Sequence, residues 1–452
     1  MEHQQEFFSN PLVQRSYVLA QMPTLIHQQL ITKPMSSFRF IHCSDLHIDS
    51  PFKGLSSVKP ELANRLRAST SQAFQNIVDF AIKEKVSAVV IAGDIYDGAD
   101  KSLQAQFKFR DGLQKLSDAG IPSFLAHGNH DPLDSRFATL KWPEGVTVFP
   151  GEEVQSHSIQ RDEKILARIQ GISYSTRDVK KNLALQFARH SGEGFAIGVL
   201  HTNVGSNPDH ADYAPCSIED LVAGNMDYWA LGHIHAHKVL RKSDPAIVYS
   251  GNTQARHKNE TGIKGCCLVT LHANASPEIQ FVPVDSVRFV CDTLDLSPAR
   301  SMDQVMEFIE SHCEKISANA GGRDVLIQLT LTGRTEVHRE LQQSGNVEDL
   351  MEEIQSGFEG RTPAIWVTLA VQTQGTYDVE ALKQGNDFIA DLLALYEDFE
   401  KGDQVDKLSE TLKPVFENWS GIKYLETLSK EDIQELLLQA RNLTLDQLVK
   451  KE

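Results

Sequence analysis

Five short apolar runs in this chain each open directly onto a motif built from Asp, Asn and His. Phe38 to Cys43 leads into Asp45-Leu46-His47, Val86 to Ala92 into Gly93-Asp94-Ile95-Tyr96-Asp97, and Ile121 to Ala126 into Gly128-Asn129-His130-Asp131. Phe195 to Leu200 leads into His201, and Tyr228 to Leu231 into Gly232-His233-Ile234-His235. Runs of this length, rich in Val, Ile and Phe and closed by Gly or Asp, predict buried strands. Between the first three lie helical patterns. Ala63 to Lys85 carries Leu66, Phe74, Ile77, Val78 and Ile82, and Ser102 to Ala119 carries Phe107, Leu113 and Leu116. A β-α-β-α-β order predicts a mostly parallel sheet with right-handed crossovers, in which ligands gather beyond the carboxyl ends of the strands. Every Asp, Asn and His of the motifs stands at such an end.

A single Asp or His in a loop is usually a solvated or hydrogen-bonded residue, and an isolated Gly-Asn-His-Asp is a turn. Convergence of five segments points to metal chemistry instead. Two divalent cations about 3.5 to 4 Å apart can grip the attacking and leaving oxygens of a phosphoryl displacement, and they need a carboxylate between them. Asp94 is the bridging candidate because it follows the central strand. Asp45, His47 and one histidine of Gly232-His233-Ile234-His235 complete one metal; Asn129, His201 and the other histidine complete the second. An extended step puts positions i and i+2 on one face, which accounts for the spacing of Asp45 with His47 and of His233 with His235. The Asn129 amide oxygen binds a cation without adding charge, and its neighbour His130 is the catalytic candidate. Of the 17 histidines, His42, His127 and His237 lie near the motifs but read as ordinary residues. Asp49, Asp97 and Asp131 read as supporting or turn residues.

At 452 residues the chain exceeds one ordinary core, so two or three domains are expected. Its cysteines, at 43, 216, 266, 267, 291 and 313, form neither a C-x-x-C pair nor a regular framework, which favours reduced thiols in the cytoplasm. No apolar stretch approaches the roughly 20 residues that cross a bilayer, and no basic-then-apolar leader opens the chain, so neither membrane insertion nor export is expected. Charge is unevenly spread: residues 286–452 hold 31 of the 61 acidic side chains and only 16 of the 44 basic ones. Such a region repels a polyanion and suits partner docking or solubility, so any contact to a nucleic acid must come from local basic residues. Lys53, Arg256 and Lys258 are the candidates for phosphate contacts.

Residues 1–37 are polar and Gln-rich and read as a disordered extension, or as upstream sequence translated ahead of Met35. Residues 38–285 form the domain that carries the motifs, strand-dense in its second half at Lys164 to Ile172, Ala246 to Tyr249, Cys266 to Leu271 and Ile279 to Val284. Residues 286–375 read as a small α/β module, with strands at Val287 to Leu296, Asp324 to Leu331 and Ala364 to Val371 and helices near Met302 to Ile316 and Val347 to Phe358. Residues 376–452 read as an acidic helical segment that either completes the module's core or offers a face to a partner. Ser429-Lys430-Glu431-Asp432 resembles a capping box.

The series Asp45-x-His47, Gly93-Asp94-x-x-Asp97, Gly128-Asn129-His130-Asp131, His201 and Gly232-His233-x-His235 resembles that of the calcineurin-like metallophosphoesterases. Phe40 to Leu55, Tyr249-Ser-Gly-Asn252, Arg256 and Lys264-Gly265 are similar to the SbcD-like DNA repair nucleases of the YhaO type. The resemblance is specific from about 38 to 285 and weak beyond. It implies a four-layer α/β/β/α sandwich followed by a small α/β capping domain, with the C-terminal helical segment as a site of partner docking. It implies that Asp45, His47, Asp94 and His235 hold one metal, that Asp94, Asn129, His201 and His233 hold the other, and that His130 serves the leaving oxygen. Manganese is the metal it favours. The implied activity is exonucleolytic cleavage of DNA in repair, beside an SbcC-like coiled-coil ATPase, with a homodimer admitted. The alternatives are a metal-dependent phosphatase or phosphodiesterase for a small molecule or phosphoprotein, and a metal-free scaffold for an ATPase, which the intact ligand set disfavours.

Overall fold

Alternation along single strands sets the layers. In β1 (Ser37–Cys43), Phe38 and Phe40 point into a core shared by two sheets, while Ile41 and Cys43 point the other way, under helices. β2 (Ala88–Ala92) divides likewise, Ala88, Val90 and Ala92 against Val89 and Ile91. The computed structural model describes residues 37–50, 52, 60–98, 102–135, 140–190, 192, 194–205, 213–417 and 428–449. Of the extension read at 1–37, residues 1–36 lie outside the described residues, as does the candidate Lys53, while Ser37 opens β1.

The first sheet contains β1, β2, β3 (Ser123–Ala126), β4 (Val146–Val148), β11 (Gly265–His272) and β12 (Ala275–Pro283), in the order β12-β11-β1-β2-β3-β4. β1, β2 and β3 run parallel, joined by α1 (Pro60–Glu84) and α2 (Leu103–Asp118), as the β-α-β-α-β reading predicts. Phe74, Ile77 and Val78 of α1 and Phe109, Leu113 and Leu116 of α2 cover its outer face. The second sheet has the order β5-β6-β7-β8-β10-β9, from β5 (Gln155–Arg161), β6 (Lys164–Gly171), β7 (Phe195–His201), β8 (Tyr228–Gly232), β9 (Lys238–Arg241) and β10 (Ala246–Tyr249). Trp229, Leu231 and Tyr249 on its outer face pack with Phe187 and with Leu221 of α3 (Ile218–Ala223). The sequence of layers is helix, sheet, sheet, helix, which is the four-layer sandwich expected.

Three strands escaped the sequence reading: β4, β5 and β9. Each lies at the edge of its sheet. An edge strand pairs on one side only and needs no apolar run, and Gln155-Ser-His-Ser-Ile-Gln-Arg161 in β5 shows how little apolar character suffices.

Beyond Ser286 a separate parallel sheet forms from β13 (Val287–Asp295), β14 (Asp324–Thr332) and β15 (Ile365–Val371). Val325, Ile327, Leu329 and Leu331 of β14 face α4 (Met302–Asn319), α5 (His338–Leu341) and α6 (Asn346–Gly357) in one core. Leu326 faces the opposite way, into a smaller core with Val287, Phe289, Ala255 and Leu62 and Leu66 of α1. Arg65 of α1 donates to Asp324 at 2.7 Å across the same boundary.

The C-terminal segment is helical: α7 (Val379–Lys383), α8 (Phe388–Phe399), α9 (Gly402–Glu417) and α10 (Lys430–Leu448). Asp446 of α10 accepts from Gly375 N at 2.9 Å and lies 3.3 Å from His338, tying the helix to the three-stranded module. Leu393, Ile433 and Leu445 are buried between the helices, whereas Phe388, Leu395, Leu436 and Leu443 are exposed. Among the described residues no helix is long and apolar enough to cross a membrane. The six cysteines are free, and only Cys291 is exposed.

The capping box at Ser429 is formed in both directions: Asp432 N donates to Ser429 Oγ at 3.1 Å, and Ser429 N to Asp432 Oδ2 at 2.7 Å. Ser429→Ala should cost α10 about 1 kcal/mol. Amide exchange across Lys430–Leu448 should accelerate about fivefold, and unchanged exchange would show that packing alone holds the helix.

Candidate metal centre

The motifs sit at the carboxyl ends of β1, β2 and β3 in one sheet and of β7 and β8 in the other, at one end of the gap between the sheets. Backbone hydrogen bonds stitch the loops together. Asp45 N donates to Gly93 O and His47 N to Asp94 O, both at 3.0 Å. His130 N donates to Asp94 Oδ1 at 2.9 Å, and His233 N to Asp45 Oδ1 at 3.1 Å. The carboxylate of Asp131 accepts from Gly128 N and Ile95 N at 2.9 Å, with His127 Nδ1 at 3.0 Å. Asp131 thus clamps two motifs to each other, the supporting role expected of it, and His127 is turned toward that clamp.

The spacing of Asp45 with His47 has a different origin from the extended step expected. Their φ values are 52° and 42°, and Asp94 and His233 have φ of 52° and 103°. These are left-handed conformations, which cost a non-glycine residue about 1 to 3 kcal/mol and persist only where the surroundings enforce them. Tight reversals, not strand alternation, bring these side chains into one cavity.

His201, the last residue of β7, is walled in by the motif glycines. A Cβ on Gly93, Gly128 or Gly232 would meet its ring within 2.9 Å. Its Nδ1 lies 3.0 Å from Ala92 O, so a proton there donates to that carbonyl and leaves the Nε2 lone pair free. That Nε2 lies 3.0 Å from Asn129 Oδ1 and 3.4 Å from Asp94 Oδ2. His47 is fully buried; among the described residues neither ring nitrogen makes a hydrogen bond of good geometry, Nδ1 lying 3.5 Å from Asp97 Oδ1 and Nε2 3.8 Å from Asp94 Oδ2.

Candidate ligand atoms of Asp45, His47 and His235 lie within 4.8 Å of one another, as do those of Asp45, Asp94 and His201. Asp94 reaches a histidine of each group, as a bridging carboxylate must. The His233 ring lies 5.3 Å from that of His201. Nitrogen and oxygen ligand atoms converge here on largely buried side chains, which is costly unless a proton or a cation lies between them. The mixed imidazole, carboxylate and amide set suits a divalent transition cation.

His130 is the most exposed of these side chains at 32%, ahead of His235 at 25%, whereas Asp45, His47, Asp94, Asn129 and His201 are buried. The Nδ1 of His130 is 2.5 Å from Asp97 Oδ1, and its ring meets that of His47 edge-on at 5.0 Å. Burial works against a charge on His130, but the bond to Asp97 and the field of Asp94 raise its pKa. Burial also opposes ionisation of Asp94, yet His201, His47 and His130 hold its pKa well below the usual carboxylate range. Burial pushes His47 down to about 3, whereas at His201 the burial penalty is overcome by Asp94 and Asp45, which lift it to about 9.

Three residues have larger parts than the sequence reading assigned. Asp97 accepts from His130, Ser50 Oγ and Arg256 Nη1, which makes it the partner of the catalytic candidate. Arg256, read as a phosphate contact, has its guanidinium turned inward onto Asp97, and its side chain is 11% exposed. Glu260, not singled out at all, lies with Oε1 2.6 Å from His235 Nδ1. Nothing local marks Glu260, because its part depends on a loop returning to the site. His42 bonds Tyr228 and Leu231 O between the sheets, and His237 lies 3.1 Å from Tyr249 O, so both are ordinary as expected. Lys258 is exposed.

The calcineurin-like phosphoesterase family matches residues 38–237, and the middle domain of the metallophosphoesterase YhaO family matches residues 291–373. The chain is 31% identical over 409 residues to a Bacillus subtilis (strain 168) protein described as the uncharacterized metallophosphoesterase YhaO, spanning 90% of this chain and 97% of that one. It is 27% identical over 231 residues to the DNA double-strand break repair protein Mre11 of Thermoplasma acidophilum, 48% of this chain and 59% of that one. To the protein of the same description in Aeropyrum pernix it is 23% identical over 259 residues, 54% of this chain and 61% of that one. With its sandwich, its strand-end cluster and an almost end-to-end relative, the chain belongs to the calcineurin-like metallophosphoesterases, in the YhaO family.

Proposed function

We propose that this metallophosphoesterase hydrolyses DNA phosphodiester bonds, as an exonuclease in DNA repair working beside an SbcC-like coiled-coil ATPase. The observation that carries the reading is the gathering of ligand atoms around a buried Asp94 beside a partly exposed imidazole, His130, backed by Asp97. Asp45, His47, Asp94 and His235 would hold one cation and Asp94, Asn129, His201 and His233 the other. The pair, when bound, would supply a nucleophile at neutral pH and neutralise charge on the phosphoryl oxygens. Ala92 O and Glu260 fix the tautomers of His201 and His235, leaving Nε2 of each as the donor atom. Asp97 orients His130 through Nδ1 and favours its protonated form, so that Nε2–H can donate to the departing oxygen.

The choice of DNA draws on the similarity to proteins named for double-strand break repair. The mixed imidazole and carboxylate set suits manganese, iron or zinc, and the family resemblance tilts the proposal to manganese. The partner face proposed is the exposed apolar surface of α8 and α10 around Phe388, Leu395 and Leu443. A second copy of the chain is admitted as a partner, and the free thiols fit a cytoplasmic setting.

His130→Ala should retain metal and lose turnover by about 10² to 10⁴-fold, while Asp94→Ala should lose both. Gly128→Ala should behave like Asp94→Ala, because its Cβ overlaps Asp94 Oδ1 and the His201 ring. Metal content and hydrolysis of a bis-aryl phosphodiester separate these cases, and equal metal loss in the His130 and Asp94 variants would refute the division of roles.

With manganese, end-labelled DNA should be shortened from its ends at a rate that falls steeply with salt, since contacts to a polyphosphate release counterions. Preference for p-nitrophenyl phosphate with DNA left intact would instead favour the small-molecule or phosphoprotein phosphatase.

A further inference from the structure

The connection from β10 to β11 touches both halves of the site and the three-stranded module at once. On the site side, Arg256 Nη1 donates to Asp97 and to Ser50 Oγ, the latter at 3.1 Å, while Glu260 Oε1 lies 2.6 Å from His235 Nδ1. Asn252 N donates to the backbone oxygen of His235 at 3.1 Å. The two site contacts are tied together, because Glu260 Oε2 accepts from Arg256 N at 2.7 Å and from Asn252 Nδ2 at 2.9 Å.

On the opposite side the same segment is fastened to β13. Gln254, 2% exposed, donates from Nε2 to Val287 O at 2.6 Å, and its Oε1 accepts from Ser286 N at 2.9 Å and Val287 N at 3.2 Å. Gly262 N donates to Phe289 O at 2.9 Å. Ala255 is buried among Leu62, Leu66, Phe289 and Leu326, where α1 meets the module. A shift of β13 against the sandwich would therefore pull the backbone that carries Arg256 and Glu260. A buried donor released by Gln254 or Glu260 would be left without a partner, which is costly.

We infer that Glu260 is a positioning residue for His235, and that Asn252–Lys264 is the strap through which the three-stranded module sets the geometry of His235 and of the Asp97–His130 pair. The inference rests on the metal reading above. Glu260 acts by holding the His235 tautomer and ring plane. Gln254 acts at one remove, touching no member of the site.

Manganese binding to the full chain, followed by titration calorimetry with folding checked by circular dichroism, tests the strap. Glu260→Ala should weaken binding about tenfold or more. Glu260→Gln keeps an oxygen for His235 Nδ1 and should fall between that variant and wild type. Gln254→Ala should also weaken binding, by less. The matched control is Gln355→Ala: Gln355 clamps β15 in the same way, with Nε2 2.9 Å from Ile365 O and Oε1 accepting from Val367 N at 3.2 Å, but away from the strap. It should bind manganese like wild type. Wild-type affinity in Glu260→Ala or in folded Gln254→Ala would overturn the strap while leaving the metal reading intact, as would equal losses in the Gln254 and Gln355 variants. A wild-type chain that takes up no cation would overturn the metal reading itself, and the strap with it.

Discussion

The convergence of His201 Nε2, Asn129 Oδ1 and Asp94 Oδ2, all on buried side chains, is the constraint on which the rest of the structure depends. Each atom offers a lone pair, and none can satisfy the others without a proton or a cation between them. Close approach of these groups demands close approach of their backbones. Glycine stands at 93, 128 and 232 because a methyl group there would fall on the His201 ring. The left-handed turns at Asp45, His47, Asp94 and His233 are the backbone form of the same crowding. Such strain is sustained by the fully buried strands on which the turns sit, β2 and β8 among them.

The two sheets supply different parts of this arrangement. β1, β2 and β3 bring the carboxylates, the Asn129 amide, His47 and His130, whereas β7 and β8 bring imidazoles alone. Because donors of both kinds enter from facing sheets, the shared core of Phe40, Val90, Phe124, Val199 and Tyr228 determines the distance between them. The mouth is built on another principle. His130 is half-exposed and leans on Asp97, and Asp97 is held in turn by Arg256. A rigid buried cluster suits tight coordination, and an imidazole at the rim can reach a phosphate ester from solvent.

Among the described residues, the module beyond Ser286 meets the strap, which in turn meets the site. Its main core is its own, but Leu326, Phe289 and Val287 face α1 and the strap, and Gln254 joins strap to strand. That segment therefore relates the placement of the module to the orientation of His235, a metal-ligand candidate, and of His130, the catalytic candidate. The acidic helices beyond Gly375 attach to the far end of that module through Asp446.

The chain order of strands and helices, the seven metal-ligand candidates with His130, and the change of pattern near Val287 were all legible in the sequence. Each is a local feature, in which an apolar run of a given period ends at a polar motif. The edge strands β4, β5 and β9 were not, because pairing on one side places little demand on side chains. Tertiary structure alone decided that Arg256 faces Asp97 instead of solvent, that Asp97 backs His130, and that Glu260 orients His235. It also decided that i and i+2 meet through left-handed turns. These contacts join residues far apart in the chain, and their partners are set by how two sheets and a returning loop stack, which no spacing within a motif encodes.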